Sequence, residues 1–293
     1  MPIIQTVIQG GGTTPTGTKN ITSNGVYDVT DFASADVQVP TTAPAHYVEK
    51  TVDANGKLIN GTNIFNLNGV TDVGNSVLTN AYVGATFPNN TSIDFSSLTI
   101  ISGNSALSNC FSSTVGITSV DLSSLTTVSG TYGAQYMFSG SSDLSSFDLS
   151  SLTTISGMYA CRYMFQACSH ITTADLRVLT TISGSEACSN MFVNCVGLTS
   201  VNFSSLSSIT GSQACYSMFS QCVGLTTISF PAIKTTTFGS LRNQFSNMFY
   251  NCSNLTAIHF PSNVQTVIES LTGYSAKWGA SNATVYFDLP ATE

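Results

Sequence analysis

One element of about 27 residues recurs along most of this chain, and it restricts the folds that the chain can adopt. A phenylalanine marks each copy, and successive copies are 27 residues apart except for one last step of 30. These residues are Phe111, Phe138, Phe165, Phe192, Phe219 and Phe249. A second apolar column with the same spacing comprises Phe95, Leu122, Leu149, Leu176, Phe203, Phe230 and Phe260. A fixed period of this length is typical of solenoids, in which similar units stack along one axis.

The pattern inside one unit, residues 187–211, predicts its local structure. Its first part has apolar residues at positions i, i+1, i+4, i+5 and i+8, which is one face of a helix. The spacing L-x-x-V-x-F-x-x-L follows and is typical of a leucine-rich-repeat strand. A second short extended segment ends the unit. We therefore predict an α/β solenoid, a leucine-rich-repeat-like stack of units that each hold a short helix and a short parallel strand.

The residue before each strand tests the predicted helix ends. A helix that ends in a left-handed residue favours Gly or Asn there, and Asp and His also tolerate this conformation. The chain has Gly116, Asp143, His170, Gly197, Gly224 and Asn254 in this column. We therefore predict left-handed helix caps at these six positions.

The composition outside the repeats indicates several further segments. Asn24-Gly25 and Asn55-Gly56 are hairpin signals, and residues 40–45 (PTTAPA) read as a linker. The predicted organisation is a flexible lead (1–17), a small β module (18–40), a linker (41–46), a hairpin and N-terminal cap (47–91), the solenoid (92–262) and a C-terminal cap of helix plus strand (263–293).

The charge of the chain restricts its partners. Only 8% of residues are charged, against about 25% in ordinary soluble domains, and the net charge is −7. The eight basic residues are scattered, so we expect no nucleic-acid partner and no binding to anionic lipid. No apolar run is long enough to insert into a membrane. The first residues lack the basic part of a signal peptide, so we expect no secretory export and reduced thiols.

The eight cysteines form columns that first suggest chemistry. Cys161, Cys188 and Cys215 share one column, Cys168, Cys195, Cys222 and Cys252 share another, and Cys110 stands alone. Partners within a unit are seven residues apart, which is too far for a disulfide in a helix, and CxxC or CxxH spacing is absent. We favour buried, unpaired cysteines, with disulfides or a metal site as the alternatives.

An acidic column is the sharper candidate for a site. Asp94, Asp121, Asp148 and Asp175 each precede the last inward residue of a strand. Stacked strands would bring these carboxylates about 4.8 Å apart, which requires compensation. We favour hydrogen bonds from the following D-L-S-S turn, with bound Ca²⁺ or ligand recognition as alternatives.

No residue pattern indicates catalysis. None of the three histidines has a partner at fixed spacing, and phosphate-binding, dinucleotide-binding and zinc-protease motifs are absent. We expect no catalytic residues, no cofactor and no metal. The polar residues that alternate with the core residues of the strands are the candidate contact face. They are Ser119, Asp121, Ser146, Asp148, Thr173, Asp175, Ser200 and Asn202.

The repeats resemble a known family. Residues 191–211 (MFVNCVGLTSVNFSSLSSITG) and their copies are similar to the BspA-like leucine-rich repeats of bacterial surface proteins and to related repeats in mycoplasma surface proteins. The usual Asn or Cys after the strand is replaced by Ser. Residues 17–40 (GTKNITSNGVYDVTDFASADVQVP) resemble a short module of phage and prophage structural proteins.

These resemblances imply a non-enzymatic virion protein, such as a fibre, tail or head appendage, located on the virion surface. The N-terminal module would bind other virion proteins, and the solenoid would bind a host cell-surface protein or glycan. A homo-oligomer, for example a trimer, fits a fibre protein. The alternative is a bacterial cell-surface adhesin that binds host proteins or glycans.

Overall fold

The computed structural model describes residues 19–20, 37–38, 71–73, 75–76, 78–80, 82–84, 86–238 and 242–292. The predicted lead, linker and hairpin turns at Asn24-Gly25 and Asn55-Gly56 lie outside these residues. Of the predicted N-terminal β module, two short strands are described, and they pair in parallel, Lys19 with Val37 and Asn20 with Gln38.

The repeats form a parallel β-solenoid of about seven turns, which confirms the predicted stack. The strands are β1 (Lys19–Asn20), β2 (Val37–Gln38), β3 (Thr86–Asp94), β4 (Ile100–Ile101), β5 (Val115–Asp121), β6 (Thr127–Val128), β7 (Ser146–Asp148), β8 (Thr154–Ile155), β9 (Thr173–Asp175), β10 (Thr181–Ile182), β11 (Ser200–Asn202), β12 (Ser208–Ile209), β13 (Thr227–Ser229), β14 (Ala257–Pro261) and β15 (Thr284–Leu289). One row of strands has the orders β3-β5-β7, β9-β11 and β13-β14-β15, and a second row has the order β4-β6-β8-β10-β12.

The predicted helix in each repeat is wrong. Residues 185–195 form a ribbon of linked turns instead. Each repeat is one rung of the solenoid, and we call this ribbon, in every rung, the turn ribbon. Backbone N–H groups alternate along it: Met191 N–H donates to the Cys188 carbonyl within the rung, and Phe192 N–H donates to the Met218 carbonyl of the next rung. Every fourth residue is left-handed, with φ of 49° at Glu186, 57° at Asn190 and 61° at Asn194.

The turn ribbon explains why the burial pattern looked helical. In each four-residue turn two adjacent residues face the core and the next two face away from it, which gives core residues at i, i+1, i+4, i+5 and i+8. A helix of 3.6 residues per turn gives nearly the same spacing over nine residues. In the ribbon every second N–H group bonds to the neighbouring rung, whereas a helix would bond internally.

The predicted left-handed caps are also wrong except at Gly116, which has a φ of 90°. The column instead contacts the preceding rung. The Asp143 carboxylate accepts from Gly116 N–H at 2.8 Å, and the Asn254 amide donates to the Val223 carbonyl at 2.8 Å. At Gly197 an added Cβ would lie 2.3 Å from the Ser169 carbonyl oxygen, so glycine permits a close backbone approach.

A phenylalanine column runs through the core along the solenoid axis. Its rings stack from rung to rung, with centroids 5.4 Å apart between Phe111 and Phe138 and 5.7 Å apart between Phe192 and Phe219. Each of these rings is fully buried. Such stacks add about 0.5–1.5 kcal/mol per pair to the burial of apolar area.

The C-terminal residues cover the last rung. A short helix, α1 (Gln265–Glu269), and a 3-10 helix (Tyr274–Gly279) precede β15. The buried Trp278 ring contacts Phe245 edge to face, with ring centroids 5.5 Å apart. The backbone carbonyl of Trp278 accepts the Phe249 N–H at 3.0 Å. This segment therefore supplies both apolar cover and a hydrogen-bond partner to the end of the stack.

Candidate recognition surfaces

The predicted contact residues lie on four neighbouring strands of the first row. The parallel pairing of β5 with β7 places Ser119 beside Ser146 and Asp121 beside Asp148. The pairing of β9 with β11 likewise places Thr173 beside Ser200 and Asp175 beside Asn202. All eight residues are exposed or half-buried, while the residues between them, such as Val120 and Ala174, pack inward.

The strand row is interrupted in the middle of this face, between β7 and β9. Phe147 occupies the inward position of β7, and its ring stacks on Phe165 at 4.5 Å and reaches to 5.9 Å from Phe192. The next rung carries Ala174 at this position, and its small side chain leaves room for the ring. The face therefore consists of two paired halves on either side of a break.

The aspartates of this column stabilise the turns that follow their strands. The Oδ1 atom of Asp121 accepts from Ser123 N–H at 2.9 Å, and Asp148 accepts from Ser150 N–H at 2.8 Å. Asn202 makes the same bond to Ser204 N–H, so an amide oxygen can replace the carboxylate. This arrangement confirms the predicted turn role of the column.

The charges on this face have local partners. Arg177 Nε donates to the Asp175 carboxylate at 2.8 Å, and His259 Nδ1 lies 2.9 Å from the Asp288 carboxylate. Among the described residues, three or more His, Cys, Asp or Glu side chains nowhere converge on a metal site. The face therefore offers hydroxyl, amide and carboxylate groups to a polar partner.

The cysteines belong to the core, as predicted. All eight are free and buried. Each thiol of the larger column donates to a phenylalanine carbonyl of the preceding rung, for example Cys195 to Phe165 at 3.0 Å and Cys222 to Phe192 at 3.1 Å. Ser141 occupies the same column and makes the same bond to Phe111 at 2.7 Å. The column therefore requires a small buried donor and not a reactive group.

Burial suppresses the reactivity of these thiols. It raises the pKa of Cys161, Cys195, Cys215 and Cys252 to about 12. Burial also raises the pKa of Cys168, Cys188 and Cys222, and neighbouring thiols add to this effect. Since the thiolate is the nucleophile, these groups are inert while the protein is folded.

Thiol labelling checks this conclusion. We expect Ellman's reagent at pH 8 to react with fewer than one thiol per folded chain and with all eight after denaturation. A Ser146→Cys variant is the matched control, because Ser146 is exposed on β7 and its thiol should react at once. Rapid reaction of several native thiols would contradict the buried donor column.

The turn ribbon also carries a tyrosine cluster that the sequence patterns above do not predict. Tyr132 stacks on Tyr159 with ring centroids 5.1 Å apart, and Tyr136 stacks on Tyr163 at 4.7 Å. The Arg162 guanidinium lies 5.0 Å from the Tyr159 centroid and 5.1 Å from the Tyr163 centroid. The signal was present in the sequence, since TYGAQYMF is followed 27 residues later by MYACRYMF.

The cluster has distinct electrostatics. Burial and the nearby Tyr163 raise the pKa of Tyr136, while Arg162 opposes this rise. Arg162 Nε lies 3.6 Å from the Glu186 carboxylate of the next rung. The charges of Arg162 and Glu186 therefore neutralise each other.

The fold and these surfaces define a solenoid repeat scaffold whose outward side chains are available for binding. Among the described residues, none of the helices is both long and apolar enough to span a membrane. The model of the family "BspA type Leucine rich repeat region" matches residues 75–187 and 188–275, with six copies. The matched ranges cover more than half of the chain, which therefore belongs to this family.

Comparison with solved structures gives three similar chains. A T. pallidum leucine-rich repeat protein (TpLRR) is 18% identical over 86% of this chain and 99% of its own, with a TM-score of 0.38. The pneumococcal vaccine antigen PcpA is 13% identical over 94% of this chain and 55% of its own, with a TM-score of 0.43. A leucine-rich repeat protein from Bacteroides ovatus is 16% identical over 84% and 74%, with a TM-score of 0.28. A search of curated proteins found no match.

Proposed function

We propose that this chain is a non-enzymatic recognition protein of a virion, a fibre, tail or head appendage, and that its exposed strand face binds a host-surface or virion protein. The regular alternation of polar and core residues over four strands carries the proposal. Membership of a repeat family without a catalytic match supports a binding role. The resemblance of residues 17–40 to phage structural modules supports attachment to a particle.

The second candidate is a bacterial cell-surface adhesin with the same binding face. The family match supports it equally well, because this repeat family suggests a surface or protein-binding protein. Both candidates use the same residues and differ in where the chain is displayed.

Immunogold electron microscopy with antibodies against the full chain separates the two candidates. The virion role predicts label on purified phage particles produced by the bacterium that carries this gene. Label confined to the bacterial envelope, with unlabelled particles, would overturn the virion role and favour the adhesin.

Charge insertion tests the strand face itself. We expect Ser146→Lys with Thr173→Lys to lower binding of the labelled full chain to host cells or particles by about tenfold, since two lysines would be desolvated in the interface. Ser129→Lys with Ser156→Lys is the matched control, because both serines are exposed beside the second strand row. Equal binding by the two double variants would show that the strand face is not the contact surface.

A further inference from the structure

We propose that one end of the tyrosine cluster on the turn ribbon binds a neutral glycan. We call this site the tyrosine step, in which Tyr132 and Tyr136 project beside the shorter side chains of Ser105 and Asn109. This site is separate from the strand face and does not depend on the function proposed for that face.

The cluster consists of two short stacks that lie side by side. The rings of Tyr132 and Tyr159 are parallel within 2°, and those of Tyr136 and Tyr163 within 3°. One guanidinium, that of Arg162, lies about 5 Å from the centroids of both Tyr159 and Tyr163, so the two stacks are neighbours. Their ring planes face along the solenoid axis, from rung to rung.

One end of both stacks is closed by the chain itself. Arg162 covers Tyr159 and Tyr163 and contacts Glu186 in the next rung. This end therefore offers no free ring face and no unpaired charge.

The other end is open. The preceding rung carries Ser105 and Asn109 in the two tyrosine columns, and both side chains are too short to cover a phenol ring. The outer faces of Tyr132 and Tyr136 thus form a wall one rung high above a floor of hydroxyl and amide groups. A ligand ring that lies on this floor would continue the stack as its next member.

The chemistry of the step selects the ligand. Aromatic faces bind the apolar C–H face of a sugar ring, while a few polar groups fix its orientation. The Asn109 amide, whose nitrogen also donates to the Ser108 hydroxyl at 3.3 Å, supplies those polar groups together with the Ser105 hydroxyl and the tyrosine hydroxyls. Because the step itself holds no charged side chain, a neutral glycan fits and an anionic one lacks a cation.

The size of the step excludes a second copy of this chain as its occupant. The step is one rung high and two tyrosines wide, whereas a stable protein interface buries about 800 Å² on each partner. A chain of a few sugar units matches these dimensions.

The four tyrosines occupy the left-handed position that recurs at every fourth residue of the turn ribbon. All four are left-handed, with φ between 55° and 58°, which is uncommon for a bulky residue. The other rungs place Asn109, Asn190 or Ser217 in one of these columns, and such small polar side chains tolerate this conformation better. Asparagine is therefore compatible with the backbone conformation at the tyrosine positions.

Glycan-array screening followed by calorimetry tests the proposal. The full chain is applied to an array of neutral and acidic oligosaccharides, and the strongest neutral binder is titrated in solution. We expect neutral binders, and we expect Tyr132→Asn with Tyr136→Asn to weaken binding by about tenfold or more, the effect of losing aromatic stacking. Asparagine preserves the left-handed backbone, so the variant should remain folded.

Two controls make the result decisive. Tyr250→Asn removes a tyrosine that is 51% exposed at a different place and should leave glycan binding unchanged. Thermal unfolding of each variant verifies the fold. The proposal is overturned by an array without neutral binders, by equal binding of neutral and acidic glycans, or by wild-type affinity in the double variant.

Discussion

Raising the pH above 9 is expected to unfold this protein steeply. Four buried thiols, those of Cys161, Cys195, Cys215 and Cys252, have a pKa of about 12 in the folded chain. An exposed thiol in the unfolded chain has a pKa of about 8.5. We expect the unfolding midpoint in a pH titration, followed by circular dichroism, to fall between about pH 10 and 11.

The sign of this effect follows from proton linkage. Below about pH 8.5 the thiols are protonated in both states, and their contribution to stability is fully present. Above that pH the unfolded chain releases thiol protons that the folded chain retains, so the free energy of unfolding decreases as pH rises toward 12. Each thiol contributes about 1.4 kcal/mol per pH unit in this range. Four thiols together therefore remove about 6 kcal/mol per pH unit, which offsets the usual stability of about 5–15 kcal/mol within about one to three units.

Serine variants isolate the role of the thiols. Ser141 shows that a hydroxyl satisfies the same carbonyl column, so Cys195→Ser with Cys252→Ser should fold. We expect the slope of unfolding free energy against pH to become shallower by about 3 kcal/mol per unit, because two of these thiols no longer ionise. An unchanged slope between pH 9 and 11 would refute the assignment of alkaline unfolding to buried thiols.

Gly184→Ala is expected to destabilise the fold strongly. A Cβ at Gly184 would lie 2.1 Å from the carbonyl oxygen of Gly157, and the equivalent contacts at Gly157 and Gly211 are 2.3 Å and 2.0 Å. The obstacle is backbone, which cannot move without separating two rungs. We expect a loss of about 3 kcal/mol or more in the free energy of unfolding, measured by urea titration.

The neighbouring Ser183→Ala is the matched control for this substitution. Ser183 is exposed, so its replacement should change stability by less than about 0.5 kcal/mol. A Gly184→Ala variant as stable as Ser183→Ala would contradict the conclusion that neighbouring rungs approach too closely at Gly184 to admit a Cβ atom.

The repeat length and the strands of each rung could be predicted from the sequence, but the conformation of the turn ribbon could not. The 27-residue period predicted the stack, and the alternation of core and polar residues predicted its strands. The turn ribbon was mistaken for a helix because both bury residues such as Met191 and Phe192 in adjacent pairs. Asparagine at positions 190 and 194 was the available signal, since Asn tolerates a left-handed backbone, but Tyr132 and Tyr136 obscured it in other rungs.

The two proposed recognition surfaces differ in how far the sequence predicts them. Residues such as Ser146 and Asp148 could be placed on one face because strand alternation determines side-chain direction. The tyrosine step depends on which ribbon residues share a column, and a helical interpretation assigns those columns incorrectly. Pairing across rungs, and not local spacing, brings Tyr132 and Tyr159 together.

The hydrogen bonds of the turn ribbon give the solenoid a chemical polarity. The N–H groups that link one ribbon to another point toward the next rung, as from Cys188 to Ala214 and from Asn190 to Tyr216. A bare C-terminal end would therefore present a row of unused donors, and a bare ribbon at the other end would present acceptors. Such complementary ends favour head-to-tail association that never closes. The Trp278 carbonyl accepts the Phe249 N–H, so one of these donors is already used at the C-terminal end and would be lost to such an association.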